Sequence, residues 1–181
     1  MHKKITAQNK QIVSKQLVAS HLQTPLGAML AVADETHLYM LKFTDQNNLQ
    51  KSISSLQKIT GSIITESSNN LLHVLNNELT AYFNGTLQQF SIPVQPYGTP
   101  FQQKSWAALL QIPYGATTSY GKQAIVVGNP KAFRAVANAN KHNPIAIIIP
   151  CHRIIKSNGY LCGYNGGVHR KQALLELEQN N

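Results

Sequence analysis

Acidic side chains are scarce in this chain of 181 residues: seven Asp and Glu stand against sixteen Lys and Arg, and no acid at all lies between Leu79 and Leu175. Any carboxylate at work in the C-terminal half is therefore Glu176 or Glu178. Cysteine is scarcer, with only Cys151 and Cys162. Two cysteines eleven residues apart match no common zinc spacing, so no metal is expected. A bridge between them would consume the thiol in the most reactive-looking motif, so both are read as reduced and the setting as cytoplasmic. Long apolar runs are missing too. The opening MHKKITAQNKQIVSKQ is basic but develops no apolar stretch of signal-peptide or membrane-span length, so a soluble protein without a membrane partner is expected. No repeat or low-complexity segment occurs.

The formal net charge of +9 is unevenly spread. Residues 1–78 carry seven Lys and Arg against five acids, and residues 79–181 carry nine against two. A basic balance by itself usually reports a solvated surface, so a nucleic-acid partner has to be argued from motifs.

Residues 1–16 are polar and without periodicity and read as a flexible arm. From Leu17 to Phe43, two apolar runs separated by turns at Thr24-Pro25-Leu26-Gly27 and Asp34-Glu35 predict a hairpin or short meander. Helical spacing of Leu72, Val74, Leu75, Leu79 and Tyr82 predicts a helix stopped by Asn84-Gly85. A small α/β lobe over 17–95 follows. The proline-rich stretch 91–100 reads as a linker, and a mostly helical lobe over 96–181 comes after it. There Thr99 and Pro100 start one helix and Ser119 a second that stops at Gly128. Asn129 and Pro130 start a third, running to about Asn140. Two helices joined by Gly-Asn-Pro suggest a helix-turn-helix, and the second would turn Lys131 and Arg134 outward. A last helix is predicted from about Val168 to Glu178.

The apolar run Ile145-Ala146-Ile147-Ile148-Ile149 delivers Pro150-Cys151-His152-Arg153. A free cysteine after such a run is ordinarily a core residue. Its imidazole and guanidinium neighbours reverse that reading, because cations and a base make a thiolate, and the thiolate is the nucleophile. In a regular strand adjacent side chains point to opposite faces, so Cys151 and His152 cooperate only if the backbone bends at Pro150. His142 and His169 are alternative bases. Glu176 and Glu178 are alternative partners to orient the imidazole, and spacing does not choose between them. Cys162, without such neighbours, reads as a packing or loop residue.

With those residues in place, the chain resembles the O6-alkylguanine-DNA alkyltransferases in their bacterial form. The resemblance rests on TPFQQKSWAALLQIPYGATTSYGKQA, GNPKAFRAVANANKHNP, IIIPCHRII and GYNGGVHRKQALLELE, and more loosely on SHLQTPLGAMLAVADE and NELTAYFNGTLQQFSIPVQPYGTPF. It implies an RNase H-like α/β N-terminal lobe and a C-terminal lobe with a winged helix-turn-helix. It also implies one irreversible transfer of an alkyl group from O6-alkylguanine in double-stranded DNA, with O4-alkylthymine as a further substrate, without a cofactor and as a monomer that could associate along DNA. Residue by residue, Cys151 matches the acceptor, His152 a base acting through water, Glu178 the group that orients it and Asn143 the side chain that holds the network. Tyr120 matches the phenol that hydrogen-bonds guanine N3, and Arg134 the finger that fills the vacated place in the stack. Lys131, Ala135, Lys141 and Arg153 are expected at the DNA, and Tyr164 and Asn165 at the substrate pocket. Two other classes compete: a module that binds alkylated DNA without chemistry, and a cysteine hydrolase using Cys151 and His152.

Overall fold

The computed structural model describes residues 16–161 and 163–181. The expected arm therefore lies outside the described residues except for Gln16, and the reading of Cys162 falls outside them as well. Strands β1 (Gln16–Leu22), β2 (Met29–Ala33) and β3 (Leu38–Phe43) form the expected antiparallel meander. Helix α1 (Leu49–Thr60) then carries the chain back to β4 (Ile63–Glu66), which pairs parallel with β1 and gives the order β3-β2-β1-β4. Neither α1 nor β4 is marked by a strong apolar pattern.

Side chains alternate across β2, so the sheet has two buried faces. Leu30 and Val32 meet Leu49 and Leu56 of α1 on one side. Met29, Ala31 and Ala33 meet helix α2 (Asn70–Phe83), through Leu71, Leu72, Leu75, Leu79 and Tyr82, on the other. Asn69 caps α2 by accepting from Leu72 N at 2.9 Å, and its amide donates to Asp34 O at 2.9 Å, tying the helix start to the β2–β3 turn.

The α2 face of the sheet is continuous with the core of the second lobe. Trp106, Leu109, the run Ile145–Ile149, Ile154 and Leu174 belong to the same cluster. Backbone bonds seal the junction: Leu41 N donates to Pro144 O at 2.9 Å, and Ala146 N to Leu41 O at 2.8 Å. The segment that leads to Cys151 is thus anchored on β3.

Helix α3 (Pro100–Leu109) begins with a capping box in which Thr99 and Gln102 satisfy each other's backbone N–H groups. Strand β5 (Thr118–Ser119) and helix α4 (Tyr120–Val126) follow, the latter capped by Ser119. Helix α5 runs Phe133–Lys141. It starts later than Asn129-Pro130 suggests, because Ala132 N donates to Asn129 O at 2.9 Å and closes a separate turn there. Inside the three-helix unit, the Gln123 and Asn140 side chains exchange hydrogen bonds of 3.2 and 2.7 Å, Gln123 donates to Ser105 O, and Trp106 Nε1 donates to Ala139 O at 2.9 Å. These satisfied buried amides fix how α5 sits. Its inner face is Val136, Ala139 and Asn140. Strand β6 (Ile154–Ile155) pairs parallel with β5, and α6 (Val168–Gln179) closes the chain.

Candidate active site

The run before Cys151 is a series of tight turns and not a strand. Ile147 has φ +70°, a left-handed conformation that costs a β-branched residue about 1–2 kcal/mol. It is held there by burial and by Ile149 N donating to Ile145 O at 3.1 Å. Asn143 binds the whole turn together. Its Oδ1 accepts from Ile145 N at 3.0 Å, while its Nδ2 donates to Ile149 O at 2.7 Å and to Cys151 Sγ at 3.2 Å. One side chain therefore shapes the loop and aims an N–H at the sulfur, where it favours the thiolate.

Pro150 leads into a single 3-10 turn, Cys151–Arg153, which supplies the bend the adjacent Cys-His pair requires. His152 is fully buried, with Nε2 2.8 Å from Glu178 Oε1. Its Nδ1 is buried and has no hydrogen-bond partner within the protein. Against a carboxylate, Nε2 carries the proton and donates it, so Nδ1 holds the free lone pair of a base. Burial lowers the His152 pKa more than Glu178 raises it, so the imidazole is neutral at pH 7.

Glu178, 3% exposed, is the hub of this arrangement. Oε1 accepts from the Tyr82 hydroxyl at 2.7 Å, from His152 and from Arg153 NH2 at 2.9 Å. Oε2 accepts from Arg153 Nε at 2.8 Å and Gly115 N at 3.2 Å. The second candidate carboxylate, Glu176, is exposed and bonded to Gln172. Arg153 departs from expectation: its third group, NH1, donates to Ile112 O at 2.6 Å, and the residue is buried, so it is a counter-ion of Glu178 and not a DNA contact. An arginine is held inside because the bidentate carboxylate pairing replaces its lost hydration.

Three contributors went unrecognised in the sequence. Tyr82 looks like one more apolar position on α2, yet it reaches across from the N-terminal lobe to Glu178. Lys171 is fully buried on α6 with Nζ donating to Ile154 O. Lys42 on β3 is 4% exposed. Burial raises the Cys151 pKa, against the hydrogen bond from Asn143 and the positive charges of Lys171 and Lys42. The thiol is thus protonated at rest and its anion is welcome once formed. The signal available for both lysines was their place in mainly apolar surroundings, Leu41-Lys42-Phe43 and the inner side of α6.

Tyr120, partly buried at the start of α4, packs against the same core as Cys151, and its hydroxyl lies 4.0 Å from where a Cβ at Gly163 would stand. Tyr164 is buried with its hydroxyl unpaired, and burial followed by the nearby Cys151 charge raises its pKa. The 163–167 loop that carries it is clamped by Arg170, which donates to Gly166 O at 2.8 Å and Leu26 O at 2.7 Å, pairs with Asp45 at 2.7 Å and lies 4.1 Å from the centre of the Phe43 ring. Gly166 is needed there, since a Cβ would come within 2.7 Å of Tyr164. Asn165 faces the N-terminal lobe, donating to Gln46 Oε1 at 3.4 Å. Lys131, Arg134, Ala135 and Lys141 are all exposed on or beside α5. No group of His, Cys, Asp and Glu suited to a metal ion occurs among the described residues.

A sheet domain followed by a helical domain, with a thiol set beside a buried imidazole–carboxylate pair at their junction, defines a two-domain protein built around a single cysteine. Comparison with known proteins agrees. Residues 17–96 match the family model described as 6-O-methylguanine DNA methyltransferase, ribonuclease-like domain, and residues 100–180 match its DNA binding domain. A methylated-DNA–protein-cysteine methyltransferase of Mycobacterium leprae is 42% identical over 159 residues, covering 88% of this chain and 90% of that protein. The protein of the same name from Mycobacterium tuberculosis is 57% identical over 104 residues, 58% of this chain, and the match spans 63% of that protein's length. The crystal structure of M. tuberculosis O6-methylguanine methyltransferase superposes with a TM-score of 0.77 at 40% identity, covering 91% of this chain and 93% of that one. M. tuberculosis OGT in complex with DNA gives 0.78 at 40% identity, covering 90% and 93%. This chain belongs to the 6-O-methylguanine DNA methyltransferase family.

Proposed function

We propose that Cys151 repairs DNA directly, accepting the alkyl group of O6-alkylguanine in a duplex once and irreversibly, and that O4-alkylthymine is a secondary substrate. The observation that carries this reading is the sulfur held 3.2 Å from the Asn143 amide on the same turn as a neutral, fully buried His152 whose Nε2 is engaged by Glu178. The solved DNA complex of the M. tuberculosis relative supports the partner.

The reaction balances without a cofactor. His152 Nδ1 takes the thiol proton through one water, and Glu178 stabilises the imidazolium. The thiolate attacks the alkyl carbon, forming the S–C bond as the C–O6 bond breaks and its electron pair passes into the purine. The Tyr120 hydroxyl, donating to N3, stabilises that developing charge, and the guanine anion regains through solvent the proton first taken by His152, so that guanine, still joined to its sugar, is restored. Nothing returns the thioether to a thiol, so each molecule acts once. Reaching the lesion requires the nucleotide to leave the stack, which costs least for a poorly paired base. Arg134 fills the space it vacates. Ala135 lets α5 come close to the groove, and Lys131 and Lys141 neutralise phosphates. In this reading α4 and α5 form the helix-turn-helix, the 156–160 turn is its wing, the lobes divide near residue 95, Tyr164 and Asn165 border the pocket, and a monomer working in the cytoplasm keeps its thiol reduced.

Digestion after incubation with a duplex containing O6-methylguanine tests the proposal. The Cys151 peptide is expected to gain one methyl group, while binding of the duplex with that peptide left unmodified would support recognition alone and defeat the assignment.

A further inference from the structure

Helix α5 shows solvent one large apolar side chain. Phe133 is 47% exposed, and Ala137, one turn further along the helix, is too small to cover it. Phe133 lies one turn before Val136 at the start of the helix, where the packing of the inner face leaves the ring half in solvent. The ring forms one wall of a cleft of about 340 Å³, shared with Tyr120 and Gly121 of α4 and with Lys156, Ser157 and Asn158. Two of the cleft's lining side chains, Phe133 and Tyr120, are aromatic, one, Lys156, is cationic, and none of the described lining residues is a carboxylate. Such a combination suits a nucleotide, whose base offers a flat face and whose phosphate offers a charge. The Arg134 guanidinium lies over the Phe133 ring, 5.7 Å from its centre.

We propose that Phe133 is a second wedge of the DNA-reading helix, its ring stacking on the base that flanks the lesion while it holds Arg134 upright beside it. This rests on the alkyl-transfer reading and extends it, because a lone arginine finger fills the vacated place with a flexible chain. An adjacent aromatic ring both stacks on either neighbouring base without sequence preference and steadies the guanidinium. Apolar wedges of this kind unstack a step so that more protein surface meets the duplex. Phe133 is accordingly a DNA-positioning residue and takes no part in bond making.

The test compares Phe133→Ala, Phe133→Leu and Phe133→Trp on a duplex containing O6-methylguanine and on free O6-benzylguanine. For Phe133→Ala the ratio of duplex rate to free-base rate is expected to fall, and affinity for the lesion duplex to drop, each about tenfold, the loss typical of one stacked base. Phe133→Trp restores both, and Phe133→Leu restores them in part. An unchanged ratio with unchanged affinity, or Leu and Trp variants as weak as Ala, would overturn the wedge. Absence of transfer by the unaltered chain on both substrates would refute the reaction instead, and the affinity series would still decide the role of Phe133.

Discussion

Replacing Glu178 by Gln is expected to lower stability by about 3–5 kcal/mol, because it leaves the buried Arg153 guanidinium without its counter-ion. For a chain of this length that corresponds to a fall in Tm of roughly 10 °C. Calorimetry of the two proteins at neutral pH measures it. The carboxylate also dictates the response to acid. Burial pushes the Glu178 pKa up, but the hydrogen bonds it accepts from His152, Arg153 and the Tyr82 hydroxyl push it further down, leaving it well below the ordinary carboxylate range. A depressed folded-state value means that the stabilisation is complete above the unfolded value of about 4.3 and is lost as pH falls below it toward the folded value. The parent chain should therefore lose stability steeply below about pH 4, and the Gln variant should show a shallower acid slope. Equal acid slopes in both proteins would mean that Glu178 is not the titrating hub.

Replacing Cys151 by Ala is expected to abolish repair completely while affinity for duplex DNA stays within about twofold, since an exchange of thiol for methyl removes the acceptor and no charge facing phosphate. Replacing His152 by Ala should instead slow transfer by about 100-fold or more, the ordinary contribution of a positioned base, and leave the final extent of alkylation the same. The two substitutions thus separate acceptor from base. Measured as guanine restored and as duplex bound, a Cys151→Ala protein that still repairs would remove the acceptor assignment. One that no longer binds would show that the thiol shapes the DNA site.

Much of the helical lobe can be read from local chemistry. Thr99-Pro100 and Ser119 are strong helix starts and Gly128 a clear stop, and the structure uses all three. Helix α1 escapes notice because QKSISSLQKIT is polar and only Leu49 and Leu56 are buried, so its position depends on the sheet beneath it. Strand β4 has no buried residue and exists through its pairing with β1. At the site, the Pro150-Cys151-His152-Arg153 tetrad announces the nucleophile, but charge alone misplaces Arg153. In an acid-free stretch an arginine reads as surface, whereas the one inward carboxylate, twenty-five residues further on, draws it inside. Tyr82 and Lys42 come from the other lobe, and no spacing along the chain predicts their arrival.

The most direct measurement of the central claim is a count: the chain is mixed with a large excess of duplex containing O6-methylguanine, and restored guanines are followed to a plateau. The account predicts one guanine per protein molecule, with every methyl group on Cys151. Continued repair beyond one per molecule, or a plateau of one with the methyl group on another residue, would contradict it.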